Sequence, residues 1–83
     1  MTENEAISLL AACRPLAAKL AAEGFEYKLT PEERATLDGY RRVREAGLAN
    51  IDRVRRQAGL FQFDLVMLST TLSNLEQQAF DID

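Results

Sequence analysis

The stretch QAGLFQFDLVML, residues 57–68, decides the fold of this chain. Seven of the ten residues from Gly59 to Leu68 are large and apolar. Wound as a helix, they begin a seam of Phe61, Leu65, Leu68, Leu72, Leu75 and Ala79, confined to about 80° of the circumference. The same three-four spacing runs backwards, in phase, through Ala58, Val54, Ile51, Tyr40 and Leu37, interrupted only by Arg44 and Gly47. Two architectures therefore compete. If the chain turns near QAGL, the last helix folds back on the one before it as a hairpin. If it does not, the two are one helix of about 50 residues and roughly 75 Å, stable only in a coiled-coil-like oligomer. Gly59 favours the break, because glycine adopts the left-handed conformation that ends helices at no steric cost. The absence of Ser, Thr, Asp or Asn just before Leu60 is the opposing signal. The glycine outweighs it, and the turn is the expected structure.

Upstream, the sequence predicts two more helical stretches. Thr2 followed by Glu5 is a capping-box pattern that opens a run rich in Ala and Leu. Leu9, Cys13, Leu16 and Leu20 repeat at helical spacing, and Ala6, Leu10 and Ala17 widen the apolar face, so this helix needs neighbours on more than one side. Pro15 lacks an amide hydrogen and clashes with the carbonyl of Ala11, which predicts a kink or a split. Gly24 supplies a C-terminal cap, with Phe25 placed to touch Leu20. FEYKL, residues 25–29, alternates like a strand but has no partner strand; it reads as an extended connector burying Phe25, Tyr27 and Leu29. TPEE, residues 30–33, is the most specific local signal in the chain: Thr30 as N-cap, Pro31 at the first helical position and Glu33 completing a capping box. The helix it opens is predicted to run from Pro31 to about Ala58. Gly47 lies inside its apolar face, where the missing side chain would let another backbone approach closely. Gly39 lies off that face and periodicity gives it no role.

These elements make one all-α domain over residues 1–83: a small three-helix bundle or helical hairpin with a kinked or split first helix, expected to self-associate. At 83 residues, with 47% apolar and 28% charged side chains, the chain can build a core, but one that stabilises it only marginally. The single cysteine, Cys13, rules out an intramolecular disulfide, and its place on an apolar face makes it a small buried hydrophobe. Glu3 and Glu5 stand where a secretory signal carries positive charge, and no apolar run reaches the roughly 18–20 residues of a membrane span. A cytoplasmic location is the expectation.

The chemistry is defined by what is missing. There is no His and no Trp. Zinc sites of the usual Cys and His type are excluded, as are Ser-His and Cys-His nucleophile pairs. The four glycines form neither a dinucleotide fingerprint nor a phosphate loop. No catalytic, metal or cofactor residues are expected, and no small-molecule substrate. The acids of the TPEE turn are accounted for by the helix dipole.

Charge is unevenly spread. Residues 41–56, RRVREAGLANIDRVRR, hold six arginines against Glu45 and Asp52, a net of +4. Residues 57–83 hold Asp64, Glu76, Asp81 and Asp83 and no basic side chain. A basic helix beside an acidic one suits hairpin pairing or antiparallel self-association. The alternative is that the Arg-rich helix 41–56 grips phosphates in a dimeric nucleic-acid-binding regulator. The pairs Arg41–Glu45, Asp52–Arg56 and Asp38–Arg41 neutralise part of that face, and the whole chain is acidic at −3. The first expectation is thus a non-enzymatic interaction protein, an adaptor, chaperone, inhibitor or regulatory subunit, binding another protein or itself. Its surface would be the second apolar face of the opening stretch, Leu60, Phe63, Val66 and Met67, rimmed by Arg53, Arg55 and Arg56. The competing explanation of that face is packing against the first helix. The long seam is assigned to the core.

Overall fold

The computed structural model describes the backbone of residues 1–24 and 27–81, and side chains as far as Gln77. Five helices follow one another: α1 (Glu3–Ala12), α2 (Arg14–Glu23), α3 (Pro31–Ala46), α4 (Ile51–Gln57) and α5 (Gln62–Asp81). Among the described residues there is no strand.

The helix starts follow the local chemistry. Thr2 Oγ1 accepts the Glu5 N–H at 3.1 Å. At Thr30 the capping box is complete: Thr30 Oγ1 accepts the Glu33 N–H at 3.2 Å, and the Glu33 carboxylate accepts the Thr30 N–H at 2.9 Å. The first helix is split, as Pro15 requires. Cys13 interrupts it, its N–H donating to Leu10 O at 2.9 Å, and α2 restarts with the proline in its first turn. Gly24, at φ +84°, closes α2. The packing expected of Phe25 lies outside the described residues; Tyr27 and Leu29 pack at the edge of the core from a segment with no regular structure.

The predicted helix 31–58 is two helices. Gly47 adopts the left-handed conformation (φ +61°, ψ +44°) and ends α3, its N–H donating to Arg44 O at 3.2 Å. A Cβ built on Gly47 would meet nothing within 4 Å, so the close approach expected there does not occur. It occurs at Gly39 instead. Gly39 is buried, and a Cβ there would stand 3.2 Å from Leu9 Cδ2. The missing side chain therefore lets α1 settle onto α3.

The break at Gly59 is present, at φ +81°, and the longest dimension of the molecule is 36 Å. A single helix of roughly 75 Å is excluded. The expected pairing of the last helix is nevertheless revised, since α5 packs chiefly on α2 and less on α3, while α1 lies against both α3 and α4. The core joins all five helices through Leu10, Leu20, Leu37, Val43, Val54 and Leu68, each almost without exposure. Two polar groups inside it are satisfied. Tyr40 hydroxyl lies against Ser69 Oγ on α5, and Thr71 Oγ1 donates to Met67 O at 2.9 Å.

A small charged cluster ties the connector to α2 and α3. Tyr27 Oη donates to Glu33 Oε1 at 2.9 Å, Lys19 Nζ stands 3.9 Å from Glu33 Oε2, and the same ammonium lies 5.0 Å from the centre of the Tyr27 ring. The Thr30 N–H, then Tyr27 and Lys19, hold the Glu33 carboxyl below its ordinary value of 4.5. A depressed carboxyl stabilises the fold above its unfolded pKa and loses that effect as pH falls through the folded one. Glu33→Gln therefore unfolds at lower urea concentration than the parent chain at pH 7, and the gap narrows below about pH 4.5 as the parent's carboxyl protonates. A gap that stays constant from pH 7 to pH 3 would show that the charge of Glu33 contributes nothing.

Candidate functional site

The corner between α4 and α5 is built by a Schellman turn. Gly59 N–H donates to Arg56 O and Leu60 N–H to Arg55 O, both at 3.1 Å. The Arg55 side chain reinforces the same turn, Nη1 donating to Leu60 O at 3.0 Å. The Arg55 Nε is buried without a hydrogen-bond partner, its closest counter-charge being the Asp52 carboxylate at 4.0 Å. The Arg14 guanidinium lies across the turn from α2, its atoms 3.2–3.3 Å from where a Cβ on Gly59 would stand. Two residues beyond Gly59, Phe61 takes the N-cap position of α5. Its N–H donates to Asp64 Oδ2 at 2.8 Å, the acid three residues into the helix supplying the reciprocal half of a capping box.

This turn decides which way each apolar side chain points. Leu60 (4% exposed) and Met67 (6%) enter the core, whereas Phe63 (61%) and Val66 (54%) face outwards. The predicted face of Leu60, Phe63, Val66 and Met67 is thus divided between interior and surface. Phe61, assigned by periodicity to the buried seam, is 75% exposed. The buried arc of α5 is centred on Met67, Leu68, Thr71 and Leu72, about 50° round from the predicted seam at 100° per residue. Packing chiefly on α2, and less on α3, accompanies that rotation. Leu65 and Leu75, also in the predicted seam, are only partly buried, and the Ala79 side chain lies outside the described residues. The resulting surface consists of Phe61, Phe63 and Val66 within two turns of chain. The signal for Phe61 was in the sequence: an acid three residues later marks it as a cap, outside the helix and free of its face.

The three predicted rim arginines have different positions. Arg53 pairs with Glu3 of α1, Arg55 is turned inwards as described, and Arg56 is exposed with its Nε on Asp52 O at 3.3 Å. Arg41 pairs with Asp38 rather than with Glu45. The run 41–56 spans the end of α3, a turn and α4, so it presents no continuous basic helix.

An apolar pocket of about 210 Å³ opens between α3, the turn after it, α4 and α5, walled by Tyr40, Val43, Leu48, Ile51 and Leu65, with Leu10 and Gly47 also lining it. Arg44 lines it too, exposed and in no ion pair among the described residues.

The remaining reactive groups are quiet. Cys13 Sγ is buried, 3.4 Å from Leu9 O and 3.6 Å from Thr36 O, and burial pushes its thiol up to about 11. At neutral pH it is a thiol, not a nucleophilic thiolate. Among the described residues no three of His, Cys, Asp and Glu gather closely enough to hold a metal ion, and no helix is long and apolar enough to cross a membrane. Comparison with protein families, curated proteins and solved structures finds no match for this chain.

Proposed function

We propose that this chain is a non-enzymatic helical interaction protein, an adaptor, chaperone, inhibitor or regulatory subunit, that binds another protein or itself through the α4–α5 corner. The observation that carries the reading is the joint exposure of Phe61, Phe63 and Val66 at the start of α5. Two phenyl rings held out by a rigid turn are typical anchors of a protein interface, where aromatic side chains supply much of the binding energy. Leu60 and Met67 support the surface from inside, and Arg56 and Arg53, the latter paired with Glu3 of α1, lie on α4 as its charged rim. The Arg-rich run supports the nucleic-acid alternative less well. It is split between two helices, Arg55 is turned into the turn beneath it, and Arg41 and Arg53 are paired with acids.

Phe63→Asp combined with Val66→Asp tests the reading. Both positions face solvent, so the variant keeps the parent's helicity in circular dichroism. Its association, with itself or with a partner captured from the native cell, weakens by about 30-fold or more, as for loss of interface hot spots. Unchanged solution mass together with unchanged capture overturns the proposal.

A further inference from the structure

We propose, resting on the reading of the patch just given, that the occupant of this surface is a second copy of the chain. The two copies pair about a two-fold axis, and Phe61 of each seats in the apolar pocket of the other, between Leu48, Ile51 and Leu65.

Three observations select a second copy. The first is placement. The pocket wall Leu65 is one turn of α5 beyond Phe61, its N–H donating to Phe61 O at 3.4 Å. Knob and pocket wall are therefore within one helical turn of each other, and a two-fold rotation that brings one knob to one pocket brings the second pair together as well, which is the self-complementarity an isologous interface needs. The second is size. An apolar cavity of about 150 Å³ accepts a benzene ring, so the pocket of about 210 Å³ holds a phenyl side chain with room for its stem. The third is charge. Asp64 stands beside the knob with one carboxylate oxygen on the Phe61 N–H and the other oxygen available. Arg44, which has no ion pair among the described residues, lines the pocket. Seating Phe61 carries Asp64 towards Arg44 of the other copy, twice per dimer, pairing opposite charges at the rim. The acidic α5 of each copy then meets the basic end of α3 in the other.

Light scattering over a concentration series from micromolar to near-millimolar reads the outcome. The mass rises from 9.3 kDa towards twice that value. Phe61→Ala removes the knob and Leu48→Trp fills the pocket; each weakens pairing by tenfold or more, as loss of an anchor in a desolvated pocket does. An equimolar mixture of the two variants recovers a heterodimer, because one chain keeps its pocket and the other its knob. Isotope-filtered NMR of the unmutated protein, with one copy labelled, shows contacts from the Phe61 ring to Leu48 and Ile51 methyl groups of the other copy, independently of how any variant folds. A parent chain that stays at 9.3 kDa throughout overturns the second copy as occupant, and leaves the patch to be judged by the capture experiment on Phe63→Asp with Val66→Asp. Pairing that persists in a folded Leu48→Trp chain, a mixture that recovers nothing, or the absence of the cross-copy contacts overturns the seating of Phe61.

Discussion

Leu68→Ala lowers the unfolding free energy by about 3 kcal/mol, the range found for removing a fully buried leucine. Leu68 has no exposed surface and lies at the centre of the buried arc of α5, the helix that packs chiefly on α2. Trimming its isobutyl side chain to a methyl removes the transfer energy of three carbons and leaves a cavity that surrounding helices, pinned by the turns at Gly47 and Gly59, close only in part. For a domain of this size the loss is a large share of a total of about 5–8 kcal/mol. Urea melts should show the midpoint falling with an unchanged slope, the mark of a stability change without a change in the folded state. Phe61→Ala is the internal comparison. At concentrations where the chain is a monomer it changes stability by no more than about 0.5 kcal/mol, because the ring is in solvent. The seam read from periodicity buries both residues and predicts comparable losses at the two positions. Equal losses at the two positions would return Phe61 to the core.

Gly59→Ala destabilises the protein by about 2 kcal/mol, and the sign of the effect matters more than its size. An L-residue at φ +81° pays the left-handed penalty, and its Cβ arrives 3.2 Å from the Arg14 guanidinium, which must move. Gly47→Ala, at φ +61° in open space, carries only the backbone part, about 1 kcal/mol. Had residues 31–80 formed one helix, both glycines would sit in a helical interior, and both alanines would stabilise by up to about 1 kcal/mol. Thermal melts of the two variants therefore separate the broken architecture from the continuous one. A rise in melting temperature for Gly59→Ala would be incompatible with the turn.

Much of this fold is legible residue by residue. The caps at Thr2 and Thr30, the split at Pro15 and the stops at Gly24 and Gly59 depend on chemistry within four residues of chain, so local reading locates them. The absence of His and the single Cys bear on chemistry in the same direct way. The candidate site is legible only in part. Phe63 and Val66 stand out in solvent on the second face of α5, which the sequence left open between a partner surface and packing on the first helix; Leu60 and Met67 of that face are interior, and the most exposed ring, Phe61, was assigned to the core.

What the sequence alone determined is that the chain is helical, where most helices begin, and that it turns at Gly59. Tertiary structure alone decided the rest. Glycine serves equally for a left-handed turn and for close helix contact, and nothing local distinguishes them. Gly47 proved to be the turn and Gly39 the contact because Leu9 of α1 comes down on α3 at Gly39. Likewise, a segment with apolar residues on two faces can bury either. The choice fell to the partner helix: with α2 rather than α3 as its main support, α5 rotates to bury Met67 and Leu68, and the Schellman turn that directs Leu60 inwards holds Phe61 out in solvent.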